Sequence, residues 1–366
     1  MEKMVTGALP AAAFWRGRSV FVTGHTGFKG SWLALWLHHM GARVSGYALD
    51  PSTEPNLYTV ARVAEAMDSD TRADLADLAA LKRALAAAGP SVVLHLAAQP
   101  LVRASYAAPL STLASNVLGT AHLLEAVRDV AEVEAVVVVT TDKVYENHEW
   151  VFPYRENDPL GGRDPYSASK AAAEIITASW RASFFGAGGH PARIATVRAG
   201  NVIGGGDWSA ERLVPDCLRA FAADAAVQLR YPGAVRPWQH VMDPLAGYLL
   251  LAERLCAADG EALARGWNFG PGMAGDATVG DIAAQLARLW GAGRVECPPG
   301  QHPHEAGLLR LDITQACSRL GWRPRWTLAR ALEETVSWQR AWFEGNTDMQ
   351  ALTLRQIGAY TATGME

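Results

Sequence analysis

A doubly wound parallel α/β sheet, followed by a smaller mixed α/β domain, is the fold class that the sequence predicts. Three observations predict it. Short runs apolar on both faces alternate with amphipathic segments through the first 200 residues, and strands of that kind belong to parallel sheets covered by helices. A glycine-rich turn joins the first such run to the first amphipathic segment. Beyond position 200 the chain breaks into short pieces at Gly204-Gly205-Gly206, Pro232-Gly233, Pro271-Gly272 and Pro298-Pro299-Gly300.

Taken in order, residues 19–23 read as a buried strand, 30–40 as a helix that Gly41 ends, and 43–49 as a second strand. Residues 75–88 are Ala-rich and helical, and Gly89-Pro90 stops them. A strand at 92–96, a long helix at 109–129 and a strand at 135–140, β-branched throughout after Ala135, come next. A helix over 166–185 and a strand over 193–198 complete a first domain at 14–200. Each alternation implies a right-handed crossover. The second domain, 201–344, is expected to carry helices at 213–222, 244–257, 278–289, 313–320 and 328–342, some of which, such as 244–257, pack back on the sheet. Residues 345–366 read as a loosely attached tail.

Composition excludes several classes of function. Apolar residues are 49% of the 366 and charged residues 19%, enough for a large core and unlike a disordered chain. Lys plus Arg total 33 against 37 Asp plus Glu, a net charge of −4 without a basic stripe, so no nucleic-acid partner is expected. The apolar runs at 135–139 and 245–252 fall far short of the ~20 residues that span a bilayer. The apolar patch at 8–15 is too short and interrupted for a secretory signal. A soluble, cytoplasmic protein with no membrane partner is the expectation. Cys217, Cys256, Cys297 and Cys317 include no Cys-x-x-Cys pair and read as free thiols. His302, His304 and Glu305 have no further ligand at zinc spacing, so no metal is expected.

The turn Gly24-His25-Thr26-Gly27-Phe28-Lys29-Gly30 has the Gly-x-x-Gly-x-x-Gly pattern. Gly24 permits the tight turn, Gly27 lets the backbone approach a pyrophosphate, and Gly30 lets the helix pack against the strand. The helix N-terminus then offers N–H groups and its positive dipole end to the anion. This context, strand before and helix after, makes a Rossmann-like dinucleotide site. Asp50 ends the second strand, where a carboxylate accepts hydrogen bonds from the adenosine ribose and repels a 2′-phosphate. The loop 51–55 has no Arg to welcome that phosphate, so NAD is favoured over NADP. Asp74, Leu75, Ala97 and Ala98 follow the next two strands and could flank the adenine and pyrophosphate.

Tyr166 and Lys170 stand at i and i+4, on one helix face. The ammonium is expected to lower the phenol pKa, and Lys170 can also hydrogen-bond the nicotinamide ribose. With the glycine turn and Thr141-Asp142-Lys143 one strand earlier, the pair resembles the extended short-chain dehydrogenase/reductase superfamily. Longer stretches are similar to the CDP-glucose 4,6-dehydratases. They are Phe14-Trp15, the glycine turn through Ser31-Trp32, Ala97-Ala98-Gln99-Pro100-Leu101-Val102-Arg103, Thr141-Asp142-Lys143, Asp164-Pro165-Tyr166-Ser167, Arg198-Ala199-Gly200-Asn201 through Asp207-Trp208, Arg236-Pro237-Trp238-Gln239-His240, Gly266-Trp267-Asn268-Phe269-Gly270-Pro271 and His302-Pro303-His304-Glu305. The match covers about residues 14–343. One departure is Val144, where the family carries Cys.

The resemblance implies an internal redox cycle on a nucleotide sugar. Thr141 and Tyr166 would hold the sugar 4-hydroxyl while C4 gives a hydride to NAD, the C5 proton and C6 hydroxyl leave, and the hydride returns to C6. Asp142 is the candidate acid for the C6 hydroxyl and Lys143 the candidate base at C5, while Asn116 buttresses the catalytic helix through the backbone. Asn201, Arg212 and Arg236 would face the substrate diphosphate, since an Arg fork matches phosphate oxygens. Gln99 and Arg103 would lie near the hexose. Asn268 and Glu305 are weaker candidates for phosphate or cytidine ribose. The substrate partner is CDP-glucose, and a homodimer or homotetramer is expected from the helices at 109–129 and 166–185. Another nucleotide-sugar dehydratase, a 4-epimerase, or a non-catalytic NAD-binding scaffold are the rival readings. The Asp142-Lys143 pair argues against the epimerase, and the intact Tyr166/Lys170 pair argues against the scaffold.

Overall fold

The computed structural model describes residues 7–186, 188–272, 275–298 and 307–362. Strands β1 (Ser19–Thr23), β2 (Arg43–Ala48), β3 (Ser69–Arg72), β4 (Val92–His95), β5 (Ala135–Val139) and β6 (Arg193–Ala199) precede β7 (Asn201–Ile203), β8 (Ala226–Gln228), β9 (Val235–His240), β10 (Gly266–Phe269), β11 (Asp276–Thr278) and β12 (Arg294–Glu296). Seven of them form one parallel sheet in the order β10-β6-β5-β4-β1-β2-β3. The order reverses between β1 and β4, and the C-terminal ends beside that switch point are where ligands bind in open α/β sheets.

Both faces of the sheet are buried, and the strands divide their side chains between two cores. Val20 and Val22 of β1, Val92 and Leu94 of β4, and Ala135, Val137 and Val139 of β5 join one apolar cluster. Phe21, Val93, Val136 and Val138, one residue out of phase, join the other. Burying a Val or Leu side chain contributes roughly 1.5–3 kcal/mol, so a one-residue slip of any central strand would change both cores at once.

Two strands of the main sheet were not legible as strands. Ser69-Asp70-Thr71-Arg72 carries no apolar pattern, and pairs with β2 at the sheet edge. Edge strands are held by backbone bonds and tolerate polar side chains. β10 comes from the later part of the chain yet pairs with β6, so the expected boundary at 200 does not divide the sheet from the later segment. The helix Met242–Cys256 packs on β5 and β6 within the main core, as expected for 244–257. The rest of the later segment builds a three-stranded sheet, β11-β9-β7, a β12-β8 pair and a third apolar cluster.

Two helical expectations need correction. The long helix at 109–129 is interrupted: Pro109–Leu113 and Gly119–Val127 flank one π-helical turn, Ala114–Leu118. Such a turn inserts one residue and re-aims side chains, often at a functional site. Nor is 345–366 a loose tail over its described part. Met349–Ala362 is a helix whose Ile357 and Tyr360 are fully buried. Tyr360 packs edge-on against Trp36 and Trp326 and donates to Asp243 Oδ1 at 2.8 Å. Burial of those two side chains decides the matter, since a tail would leave both in water.

Candidate active site

A cleft of about 1240 Å3 runs along the C-terminal ends of the strands, between the main sheet and the later segment. Its floor is the glycine turn. Gly24 has φ +75°, a conformation that favours glycine, and a Cβ there would stand 2.6 Å from Ala97 N. A Cβ on Gly30 would stand 2.1 Å from Gly24 O, so the helix Phe28–His39 could not close on the strand. Gly27, its N-cap, provides no side-chain cap to the first-turn N–H groups. A close-approaching backbone and an uncapped helix N-terminus beside a cleft fit a dinucleotide pyrophosphate.

Thr26, Phe28 and Lys29 line the cleft with Asp50, Asp74, Leu75, Ala97 and Ala98. His25 does not: its ring is buried beneath β2 and its Nε2 lies 2.8 Å from Asp70 Oδ1. Burial lowers the His25 pKa, against the opposing pull of Asp70. Lys29 lies among like charges. Burial, followed by the nearby charges of Arg212, Lys170 and Lys143, lowers it to about 7, with Asp142 opposing. The turn lysine shares one cleft with Lys143, Lys170 and Arg212, which the sequence pattern alone did not reveal.

The catalytic helix, Pro165–Phe184, starts with Asp164 as N-cap, accepting from Ser167 N at 2.9 Å. Tyr166 and Lys170 on its first turns both line the cleft. Thr141, two residues beyond β5, neighbours the Tyr166 phenol and donates to Asp142 Oδ1 at 2.9 Å. Lys143 Nζ donates to the same oxygen at 3.1 Å. A hydrogen-bonded group, Thr141–Asp142–Lys143, thus stands beside the phenol. Thr141 and Lys143 line the cleft, whereas Asp142 is fully buried behind them with Oδ2 unpartnered among the described residues. Val144 is buried in a small cluster with Tyr145 and Tyr154.

The expected lowering of the Tyr166 pKa is corrected by its burial. Desolvation pushes the phenol up to about 12, opposed by the Thr141 hydrogen bond. Lys170 donates instead to the Val139 carbonyl at 3.0 Å and is itself brought down to about 8 by burial, with Glu174 opposing. One helical turn beyond Lys170, Glu174 takes both Nε and Nη2 of the buried Arg198 (2.8 and 2.9 Å) and the hydroxyls of Thr140 and Thr196. The same guanidinium donates to Tyr145 Oη at 2.7 Å. Sequence reasoning missed this brace, because Arg198 reaches Glu174 from a separate strand, 24 residues on.

Asn116 sits in the π turn. Its Oδ1 accepts from Gln99 N at 2.8 Å, and its Nδ2 donates to Gln99 O (3.1 Å) and Ser169 Oγ (2.9 Å). It therefore ties the β4 loop to a side chain of the catalytic helix, not to that helix's backbone as expected. Gln99 is turned onto its own loop, bonding Leu101 O and N and Thr112 Oγ1, and does not line the cleft.

The residues expected at the substrate divide. Arg103, Asn201, Arg212 and Arg236 line the cleft. Arg212 Nη1 is 3.1 Å from Asp207 Oδ2, and Arg103 Nη1 is 2.8 Å from Glu211 Oε1. Asn268 is fully buried, accepting from Tyr145 Oη and donating to Tyr154 O and Asp312 O. It is bound into the wall instead of facing the cleft. Glu305, with His302 and His304, lies outside the described residues. Of the tryptophans, Trp208 and Trp238 border the cleft, and Trp267 is core.

The sheet order, the glycine turn at its switch point and the Tyr166/Lys170 pair define a dinucleotide-dependent oxidoreductase-type site on a short-chain dehydrogenase/reductase fold. The GDP-mannose 4,6 dehydratase family model matches residues 21–335. A CDP-glucose 4,6-dehydratase of Salmonella typhimurium is 49% identical over 351 residues, covering 95% of this chain and 97% of that protein. A dTDP-glucose 4,6-dehydratase of Streptomyces antibioticus is 30% identical, covering 89% and 94%. Among solved structures, a dTDP-glucose 4,6-dehydratase from Streptomyces venezuelae with NAD bound has a TM-score of 0.74 at 25% identity, covering 89% of this chain and 99% of that one. A UDP-glucose 4-epimerase from Thermus thermophilus in complex with NAD has a TM-score of 0.75 at 26% identity, covering 90% and 99%. The chain belongs to the nucleotide-sugar 4,6-dehydratase family.

Proposed function

We propose that the protein dehydrates CDP-glucose to CDP-4-keto-6-deoxyglucose with NAD held in the glycine-turn half of the cleft. The observation that carries the reading is that Tyr166, Thr141 and Lys143 line one cleft, with Thr141 and Lys143 both hydrogen-bonded to the buried Asp142 behind them. A simple 4-epimerase requires no acid or base for elimination, whereas this chain places both kinds of group beside the phenol.

NAD, when bound, supplies a hydride acceptor at C4 and the same hydride for C6. The protein supplies the rest. Gly24, Gly27 and Gly30 admit the pyrophosphate, Asp50 receives the adenosine ribose, and Lys170 orients the nicotinamide side. Thr141 holds the sugar 4-oxygen while Tyr166 takes its proton. Lys143 moves the C5 proton, and Asp142, reached through Lys143 and Thr141, supplies the proton for the departing C6 hydroxyl. Arg212, Arg236 and Asn201 receive the diphosphate, and Arg103 lies toward the hexose.

Exposed Leu110, Leu113 and Leu118 on the 109–118 helical segment, with Ile175 on the catalytic helix, support an isologous dimer, extending to a tetramer. Four free cysteines support a reducing, cytoplasmic compartment, and the product suits deoxysugar supply for surface polysaccharide such as O-antigen. Incubating the protein and NAD with CDP-glucose, dTDP-glucose or GDP-mannose tests the reading. A 4-keto product, expected from CDP-glucose at a kcat/KM well above the others, supports it. Turnover only of a different nucleotide sugar overturns the substrate assignment.

A further inference from the structure

We propose that Arg72 is a second determinant of dinucleotide choice: it forms an anion site at the adenosine end of the cleft that Asp50 keeps closed. The inference rests on the dinucleotide reading of the cleft and deepens it.

Sequence neighbours suggest that Asp50 acts alone, because the loop 51–55 contains no Arg. The fold supplies one from elsewhere. β2 and β3 run parallel with Ala48 opposite Arg72, so the end of one strand brings Asp50 beside a guanidinium from the next. Arg72 Nη1 stands 3.6 Å from Asp50 Oδ1 and 3.5 Å from Leu49 O.

The guanidinium is fixed on its other edge. Nη2 donates to Asp70 Oδ2 at 2.9 Å, and Nε lies 2.8 Å from Asp70 Oδ1. Its carbon sits 4.4 Å from the centre of the Tyr58 ring. Asp70 is anchored in turn by the Tyr58 hydroxyl and by His25 Nε2 from the glycine turn. The fork is therefore pre-organised, with the Nη1 edge toward Leu49 and Asp50, which line the cleft, and the charge permanent. Asp50 is a different kind of partner: its side chain is 87% exposed, and among the described residues it holds no second contact that would fix it. Arg72 and Asp70 cancel locally, and Asp50 leaves the rim negative. That sign excludes a 2′-phosphate. Removing the Asp50 charge leaves an unopposed Nη1 edge, of the geometry that binds phosphate.

Calorimetric titration of the cofactor-free protein with 5′-AMP and with 2′,5′-ADP reads this directly, without turnover. Asp50→Asn is expected to shift the preference toward 2′,5′-ADP by about tenfold or more, the worth of one charge-assisted hydrogen bond. Adding Arg72→Gln should abolish the gain, and adding Arg72→Lys, which keeps charge without the fork, should retain only part of it. An undiminished gain in either double variant overturns the inference. A merely structural Arg72 would weaken both nucleotides equally and leave their ratio unchanged, which also overturns it. If the native protein binds neither NAD nor 5′-AMP, the dinucleotide reading itself falls, a result distinct from a failure of Arg72 alone. Should Arg72→Gln unfold, the Arg72→Lys double variant decides by the same ratio.

Discussion

The two halves of the cleft are built on different principles. The dinucleotide half is a backbone site: Gly24 and Gly30 leave no room for a Cβ, and the helix that starts at Gly27 has no side-chain cap, so its first N–H groups would meet an anion. The other half is a side-chain site, in which Arg103 and Arg212 project from separate segments and each pairs with a carboxylate, Glu211 and Asp207. Backbone sites are intolerant of change and hard to tune. Side-chain sites can be adjusted one charge at a time, as a family that handles different nucleotide sugars requires.

The sharpest test sits where the halves meet. Tyr166→Phe removes only the hydroxyl of a side chain that touches both, so it should lower turnover by about 10²–10⁴-fold while dinucleotide binding and melting temperature hold. Near-native turnover would show that the Tyr166 hydroxyl takes no part in the chemistry. Next in size is Gly30→Ala. Its Cβ meets backbone at 2.1 Å, so the loop must shift, with a cost of about 1–3 kcal/mol in stability and loss of measurable dinucleotide binding. Retained NAD affinity by calorimetry would show that the turn yields more easily than a backbone site should.

How much of this could be read from the sequence depends on the same division. The glycine turn was legible because its function constrains consecutive residues. The Tyr166/Lys170 pair was legible because helical geometry fixes i and i+4. The wall of the site was not. Arg198 reaches Glu174 across two elements, Asn268 turns away from the cleft to bind Tyr145, and Arg72 meets Asp50 only through strand pairing. None of these leaves a local period or spacing. β3 and the final helix were missed for related reasons: a polar edge strand has no alternation, and the burial of Tyr360 depends on Trp36 and Trp326, far away in the chain.

Lys170 shows what a buried charged side chain in the cleft costs in stability. Its pKa is about 8 when folded, against ~10.4 in the unfolded chain. Below pH 8 the lysine is charged in both states, and the cost of burying that charge, about 3 kcal/mol, is fully present. Between the two values the unfolded state binds more protons, so stability contributed through this group rises with pH. Lys170→Met should therefore melt higher than the native protein at pH 6.5, with the gap closing towards pH 10. A gap that does not change with pH would place the ammonium in a better-solvated environment than its burial implies.

The smallest effect belongs to the Arg103–Glu211 pair. Both side chains are over two-fifths exposed, at 43% and 44%, and such pairs contribute about 0.2–1 kcal/mol. Glu211→Ala should accordingly leave the melting temperature nearly unchanged. Its effect on the nucleotide sugar distinguishes two uses of an arginine. If Glu211 occupies the fork that substrate takes over, its removal lowers KM by up to about fivefold, the equivalent of that pair energy, with kcat unchanged. If Glu211 instead aims Arg103, KM rises by a similar factor. The exposure of both partners favours the first outcome, because a carboxylate free to swing into water cannot aim its partner firmly. Asp207 provides the internal control. Its side chain is only 6% exposed and also accepts from Ser209 N at 3.0 Å, so it does hold Arg212 in place. Asp207→Asn should raise KM where Glu211→Ala lowers it. Shifts in the same direction would show that the two arginines are held alike, and the distinction drawn from exposure would fail.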